Sequence, residues 1–191
     1  MNTREELYFK TADDWRNWLS QNYESSNGVY LILYKVSSDK PSMRWEEAVR
    51  VALCYGWIDS TVKKLDDERR RQLFTPRNSK SVWSKLNKAH IEELIASKLM
   101  HASGLKKIAV AKKDGSWTAL DDVESLKIPE DLQAEFDCNP VAFSNYNGFA
   151  PSYRKGYLYW LHSGKRKATR DKRIAEIIKL CELNIKTRGT Y

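Results

Sequence analysis

The chain lacks most of the features that mark common enzyme and membrane classes. It has three cysteines, Cys54, Cys138 and Cys181, an odd number set far apart. That excludes a disulfide framework and suits a reducing compartment. No apolar run approaches the ~18 residues that a membrane-crossing helix needs, so membrane insertion is not expected. The first ten residues hold no apolar stretch of leader type, and Arg4, Glu5 and Glu6 interrupt them. A cytoplasmic chain without a secretory signal is therefore the expectation. There is no glycine-rich phosphate loop, no GxGxxG, GxSxG or HExxH, and no CxxC. His90, His101 and His162 are isolated, and His90 and His101, read on one long helix, stand too far apart to share a metal ion. Neither a metal, a cofactor nor a recognisable catalytic residue is expected.

What is present is apolar and aromatic bulk. Hydrophobic residues make up 41% of the chain, with 7 Trp, 10 Tyr and 5 Phe, enough to build a core and to argue against intrinsic disorder. The net charge is +8, and its placement is uneven. Residues 1–149 carry 22 Lys/Arg and 22 Asp/Glu, whereas residues 150–191 carry 11 Lys/Arg and 3 Asp/Glu. A basic C-terminal third points to an anionic partner or to a solvated basic face.

Periodicity predicts strands early and helices late. A helix opens near Thr11 or Asp13, with Trp15, Trp18 and Leu19 on one face. Residues 29–36 form an apolar, β-rich run that reads as a central strand. A second helix, opened by Pro41-Ser42, presents Trp45, Ala48, Val49, Ala52 and Leu53 on one face and stops at Gly56. Residues 57–64 and 71–75 flank a polar turn and read as a hairpin, with Trp57 opposite Pro76 and Asp59 opposite Phe74. A long helical stretch follows, with Gly104 dividing it. Further helices start at Pro129, Pro140 and Pro151, and Thr169 reads as the cap of the last one. The expected fold class is α+β: an N-terminal antiparallel sheet with covering helices over residues 1–115, a connector at 116–128, and an all-helical basic unit at 129–191.

Three blocks carry a family resemblance: ALCYGWIDS at residues 52–60, FTPR at residues 74–77 followed by Trp83-Ser84 and Asn87, and KATR with Lys172-Arg173-Ile174 from residue 167. With the Trp15/Trp18 opening, they resemble the YdeI/OmpD-associated (bacteriocin-protection) family over almost the full chain. The resemblance implies an N-terminal part similar in outline to YjbR/CyaY-like α+β folds and a helical C-terminal module. It implies a link to protection against bacteriocins and cationic antimicrobial peptides and to an outer-membrane porin, with no accepted activity or cofactor.

Candidate ligand-binding residues follow from the same blocks. Asp59, Trp57, Arg77 and Trp83, with Asn87 close by in sequence, gather polar and aromatic groups near one strand end, where Arg77 either grips an anion or pairs with Asp59. Arg170 falls on the apolar side of the last helix, among Ile174, Ile177 and Cys181, so it must find a partner. Asp59 is one candidate partner; an anion in a cleft between the units, walled also by Thr169 and Arg173, is another. The leading expectation is a non-enzymatic cytosolic resistance protein that binds an anionic ligand or a protein partner. One alternative is nucleic-acid binding by the basic, aromatic C-terminal third, although residues 153, 157, 160 and 161 have core spacing. The other is an enzyme built around Asp59. Cys54, beside a helix's apolar face, reads as a small hydrophobe rather than a nucleophile. The run Arg69-Arg70-Arg71 reads as local balance for Asp66, Asp67 and Glu68.

Overall fold

The computed structural model describes residues 4–79 and 81–189, and these divide into two compact units between Thr118 and Ala119. The first unit is α+β. Strand β1 (Glu6–Tyr8) precedes helix α1 (Ala12–Asn22), strand β2 (Val29–Tyr34), helix α2 (Trp45–Cys54), the hairpin β3 (Trp57–Lys64) and β4 (Arg69–Pro76), and helices α3 (Lys85–Ala96) and α4 (Ala102–Asp114). The sheet order is β1-β2-β4-β3.

The expected sheet was antiparallel, and three of its four strands are. β1, however, runs parallel to β2, with Leu7 opposite Leu31, so the sheet is mixed. Three residues are too few to reveal a period of two, and only pairing with β2 makes a strand of them. The hairpin register is as expected, with Trp57 opposite Pro76 and Asp59 opposite Phe74, and a bulge follows between Asp59 and Val62.

One face of the sheet is covered. Val29, Leu31 and Leu33 alternate with half-buried neighbours, and Phe74 and Trp57 join them on the same side. Helices α1 and α2 close that face through Trp15, Leu19, Ala48, Val49, Ala52 and Leu53. Two indoles lodge there only because their N–H groups find backbone acceptors: Trp15 donates to the Ala48 carbonyl at 3.1 Å, and Trp57 to that of Tyr23 at 3.2 Å. Helix α1 starts as a capping box between Thr11 and Asp14. Helix α2 begins at Trp45, later than the Pro41-Ser42 start expected, because the Glu47 carboxylate accepts the Arg44 N–H. Trp45 itself stands 37% exposed rather than in the core.

Gly104 does not divide two helices. The break lies at Lys98, whose left-handed φ of 57° closes α3, while Gly104 sits inside α4. His101 is the cap of α4, so it does not share a helix with His90. The glycine serves a close approach: a β-carbon there would lie 2.2 Å from the Cys54 carbonyl oxygen. The buried face of α4 is accordingly Gly104, Ile108 and Ala111, and Leu105 is 45% exposed.

The second unit is helical: α5 (Asp121–Glu124), α6 (Glu130–Cys138), α7 (Pro140–Gly148), α8 (Pro151–Ser163) and α9 (Lys167–Glu182). Its core gathers Leu132, Phe136, Tyr146, Tyr157, Leu161, Ile174, Ile177 and Cys181. Arg166, not Thr169, is the residue before α9; Thr169 lies in the first turn, and its N–H is bonded to the Arg166 carbonyl at 3.0 Å.

Replacing Gly104 by alanine is expected to destabilise the first unit by about 2 kcal/mol or more, since the backbone of Cys54 cannot move aside cheaply. Chemical denaturation of G104A beside a surface control, Leu105→Ala, checks this. Equal midpoints for the two variants would show that the helix packing tolerates the extra carbon.

Candidate functional site

The site in the first unit is built on the end of β4. Pro76 has no N–H and closes the strand. The next residue, Arg77, is held by its backbone from two sides: its N–H donates to the Gly56 carbonyl at 2.9 Å, and its own carbonyl accepts from the Lys107 ammonium at 2.9 Å. Gly56 occupies the left-handed region, φ 75°, where it turns the chain from α2 into β3. A side chain there would press on Lys107, since a β-carbon would meet its Cγ at 2.7 Å.

Arg77 is 3% exposed. Its guanidinium face lies against the Trp83 ring, 3.6 Å from the centroid, and Nη2 donates to the Val82 carbonyl at 2.7 Å. Nη1 has no hydrogen-bond partner, and no described carboxylate forms an ion pair with Arg77. Burial pushes the guanidinium down to about 10, and the Asp59 charge opposes that shift from a distance. A buried cation without a counter-ion is costly, so this arrangement calls for an explanation.

Arg77 lines a cavity of ≈ 440 Å³ together with Trp57, Trp83, Tyr23, Tyr55 and Lys107, and with Ser103 and Ser116. The Tyr55 wall is stiffened by the His101 ring, stacked at 5.0 Å, and by the Ser103 hydroxyl, which donates to the Tyr55 carbonyl at 3.0 Å. Ser116 is taken up by Asp114, whose carboxylate accepts its N–H at 2.9 Å and is held below its ordinary value chiefly by the Ser116 side chain. Glu24, Asn78, Ser79, Ser81 and Lys106 also line it, and the volume and the mixture of aromatic wall and polar groups are those of a small-molecule site.

Of the residues expected to bind, Trp57, Arg77 and Trp83 line this cavity, whereas Asp59 and Asn87 are not among its lining. Asp59 does not pair with Arg77: one carboxylate oxygen accepts from Trp45 Nε1 at 2.9 Å and from Gln72 Nε2 at 2.7 Å. Strand alternation puts Asp59 on the face of Trp57, two residues further along β3, where Trp45 and Gln72 take its carboxylate. Asn87 sits in the first turn of α3, where its N–H is taken by the capping Ser84 hydroxyl at 3.2 Å. Sequence reasoning missed Tyr23, Tyr55, Lys107 and Ser116. Tyr55 lay within the ALCYGWIDS block, and the Lys106-Lys107 pair beside Gly104 carried a weak signal.

The three residues from the last helix are engaged inside the second unit. Arg170 grips Asp131 with two nitrogens, Nε on one oxygen and Nη2 on the other at 2.8 Å. Its partner is therefore a carboxylate of α6 and not of the first unit. Arg173 donates to the Trp160 carbonyl and to the Ser163 hydroxyl, the latter at 2.7 Å, and Trp160 carries Arg188 over its ring at 3.5 Å. Thr169 is half-buried in the first turn of α9. The aromatic stripe of α8 is mixed: Tyr157 and Leu161 are core, while Tyr153 is 38% exposed. On the hairpin, Arg69 pairs with Asp66 at 2.7 Å as expected, but Arg71 reaches across to Glu6 and covers Tyr30. Cys54 is fully buried, its thiol raised chiefly by that burial.

Fold and site together define a one-faced mixed sheet that carries a cationic, aromatic-walled cavity, followed by a helical unit. Over residues 7–107 the chain belongs to the family known as domain of unknown function DUF8412. Residues 125–184 match the family described as Bacteriocin-protection, YdeI or OmpD-Associated, in agreement with the family resemblance seen in the sequence. The KATR block lies in that segment, whereas ALCYGWIDS and FTPR with its followers lie in the first. No curated protein and no solved structure matches the chain.

The hydrogen bond from Arg170 is the main reason the Asp131 carboxyl titrates below its ordinary value. A depressed folded-state pKa stabilises the fold above the unfolded value, about 3.9, and that contribution fades as pH falls through the folded one. Both side chains are partly exposed, so Arg170→Met is expected to cost the second unit less than about 1 kcal/mol near neutrality. The gap from the parent chain should close below about pH 4. Thermal melts of both chains from pH 7 to pH 2 test this, and a gap that persists undiminished at the acid end would assign the effect to packing of the arginine stem.

Proposed function

We propose that this chain takes part in protection against bacteriocins as a binding protein, and that its first unit is a receptor for a small anionic ligand seated against Arg77. The observation that carries the reading is Arg77 itself: 3% exposed, without a carboxylate partner, with a buried Nη1 that has no hydrogen-bond partner, and part of the lining of a ≈ 440 Å³ cavity. An anion entering there supplies the charge that the fold leaves out, and in a dry, aromatic surround each hydrogen bond to it is strengthened. Lys107 adds a second positive charge on the same wall. The protective role is supported by the family match over residues 125–184. A cytoplasmic place for this activity agrees with the composition and the few, separated cysteines.

Millimolar acetate or inorganic phosphate is expected to raise the melting temperature of the chain, and to do so far less in Arg77→Lys, which keeps the charge but loses the fork. In cells challenged with a bacteriocin, the same variant at matched abundance should survive less well than the parent. Survival equal to that of the parent would separate the cavity from protection, and an anion response unaltered in R77K would remove Arg77 as the binding group.

A further inference from the structure

Arg77 follows the last residue of β4, and a second hollow, of ≈ 460 Å³, opens at the strand's other end, beside Arg69 and Arg70. Cross-strand partners share a sheet face. Arg70 is opposite Leu33 of β2 and Lys64 of β3, and the next row on that face is Leu31, Gln72 and Val62. This is the face that α1 and α2 cover, and Leu31 and Leu33 belong to its core. Helix α2 begins only at Trp45, whose indole N–H is bonded to Asp59, further back along the hairpin. The helix leaves the end of the hairpin uncovered: Val62 is 49% exposed, and Lys64 and Arg70 stand in solvent.

The hollow is apolar at its base. Leu33 and Met43 are buried there, and Val36, Trp45 and Val62 border it from three segments. Its walls are tied together. The Tyr34 N–H donates to the Ser42 hydroxyl at 3.2 Å, and the Lys35 N–H to the Glu68 carbonyl at 2.8 Å. The Tyr34 ring meets Tyr8 edge to face at 5.4 Å. The loop after β2 and the turn of the hairpin are held side by side, so the hollow is formed before any ligand arrives.

Its rim is basic. Lys35, Arg44, Lys64, Arg69 and Arg70 border it, against one carboxylate, Asp66. Asp66 takes Arg69 at 2.7 Å, and Lys64 turns to Asp67 at 2.6 Å. Arg71 reaches Glu6 on the other face, so Arg70 is the member of the arginine run that no described carboxylate pairs with. Lys35 and Arg44 likewise form no ion pair with a described carboxylate; Glu47 accepts the backbone N–H of Arg44. Branched aliphatic side chains and a thioether follow a flexible chain closely. We infer that this hollow is a second ligand site, for an amphipathic anion: its aliphatic chain lies on Leu33, Met43 and Val62, and its carboxylate or other anionic head stays at the rim, in the field of Lys35, Arg44 and Arg70.

This hollow shares no lining residue with the Arg77 cavity, so the two sites are independent. The head group stays in water, where each exposed cation contributes little alone and salt screens all three. Most of the affinity comes from the chain, by covering apolar surface that α2 leaves bare. A bilayer offers the same chemistry, an acyl chain beneath an anionic head. The hairpin turn beside the hollow, however, carries Asp66, Asp67 and Glu68, which would be pressed against an anionic membrane surface. A single free molecule meets only the basic rim, and the ligand is therefore a free amphiphile.

The test is calorimetric titration of the whole chain with octanoate and with its neutral counterpart 1-octanol, at low and high salt. Octanoate is expected to saturate a site and to bind less tightly at high salt, with 1-octanol weaker by about tenfold. Arg44→Gln and Arg70→Gln, both at exposed positions that leave the fold intact, should each weaken octanoate by about two- to fivefold. Val62→Asp, which removes chain contact and adds a like charge, should weaken it by about tenfold or more. Arg77→Lys should bind octanoate as the parent does. Equal affinity for the alcohol would reduce the hollow to a hydrophobic slot and overturn the inference. Octanoate binding that survives V62D and R70Q but falls in R77K would move the ligand to the other cavity, overturning this site and leaving the Arg77 reading intact. No binding of octanoate would overturn it as well, and Val62-dependent sedimentation with phosphatidylglycerol vesicles in that case would make a membrane surface the partner.

Discussion

A cation buried without a counter-ion must be held in place by something other than charge, and the first unit is arranged around that constraint at Arg77. Its backbone is tied to Gly56 on one side and to Lys107 on the other. Its side chain is clamped between the Val82 carbonyl and the Trp83 ring. Each tie depends on a separate local choice. Gly56 must adopt a left-handed φ to turn the chain, Pro76 must end β4, and Gly104 must let α4 approach Cys54 closely enough to bring Lys107 into reach. The costly element is thus supported by the strand end, the hairpin register and the helix contact together, which is how strained or under-solvated groups persist at binding sites.

The second unit solves the same problem in the opposite way. Arg170 has a two-pronged carboxylate partner, Lys155 has Glu124 at 2.8 Å, and Lys167 has Asp171 at 2.9 Å. Arg173 and Arg188 use the Trp160 ring and neighbouring oxygens. Its basic excess is partly consumed within the unit. The contrast with Arg77, a buried cation beside a cavity and without a carboxylate, is what favours the first unit as the ligand site despite the lopsided charge of the chain.

Aromatic residues link fold and site. Trp18 stacks on Trp15, Trp57 and Phe74 meet Trp15 edge to face, and Trp57 continues from that cluster into the cavity wall. The wall therefore inherits the rigidity of the core, and Trp57 cannot shift without disturbing Trp15. Tyr55 and His101 extend the same logic on the α4 side.

The sequence by itself determined the α+β order, the central position of residues 29–34, the hairpin and its register, and the proline starts of the late helices. These follow from short-range rules: a period of two, a period of 3.6, turn residues and the missing proline N–H. It also pointed to Trp57, Arg77 and Trp83. What only the tertiary structure decided was partnership. β1 is a strand because β2 lies beside it, Gly104 is a contact rather than a break, and Asp59 belongs to Trp45 and Gln72. Arg170 finds Asp131, 39 positions away, and Tyr23, Lys107 and Ser116 come to the cavity that Arg77 lines from three separate segments. No spacing rule spans such distances, because which charge meets which is set by packing and desolvation after the elements have formed.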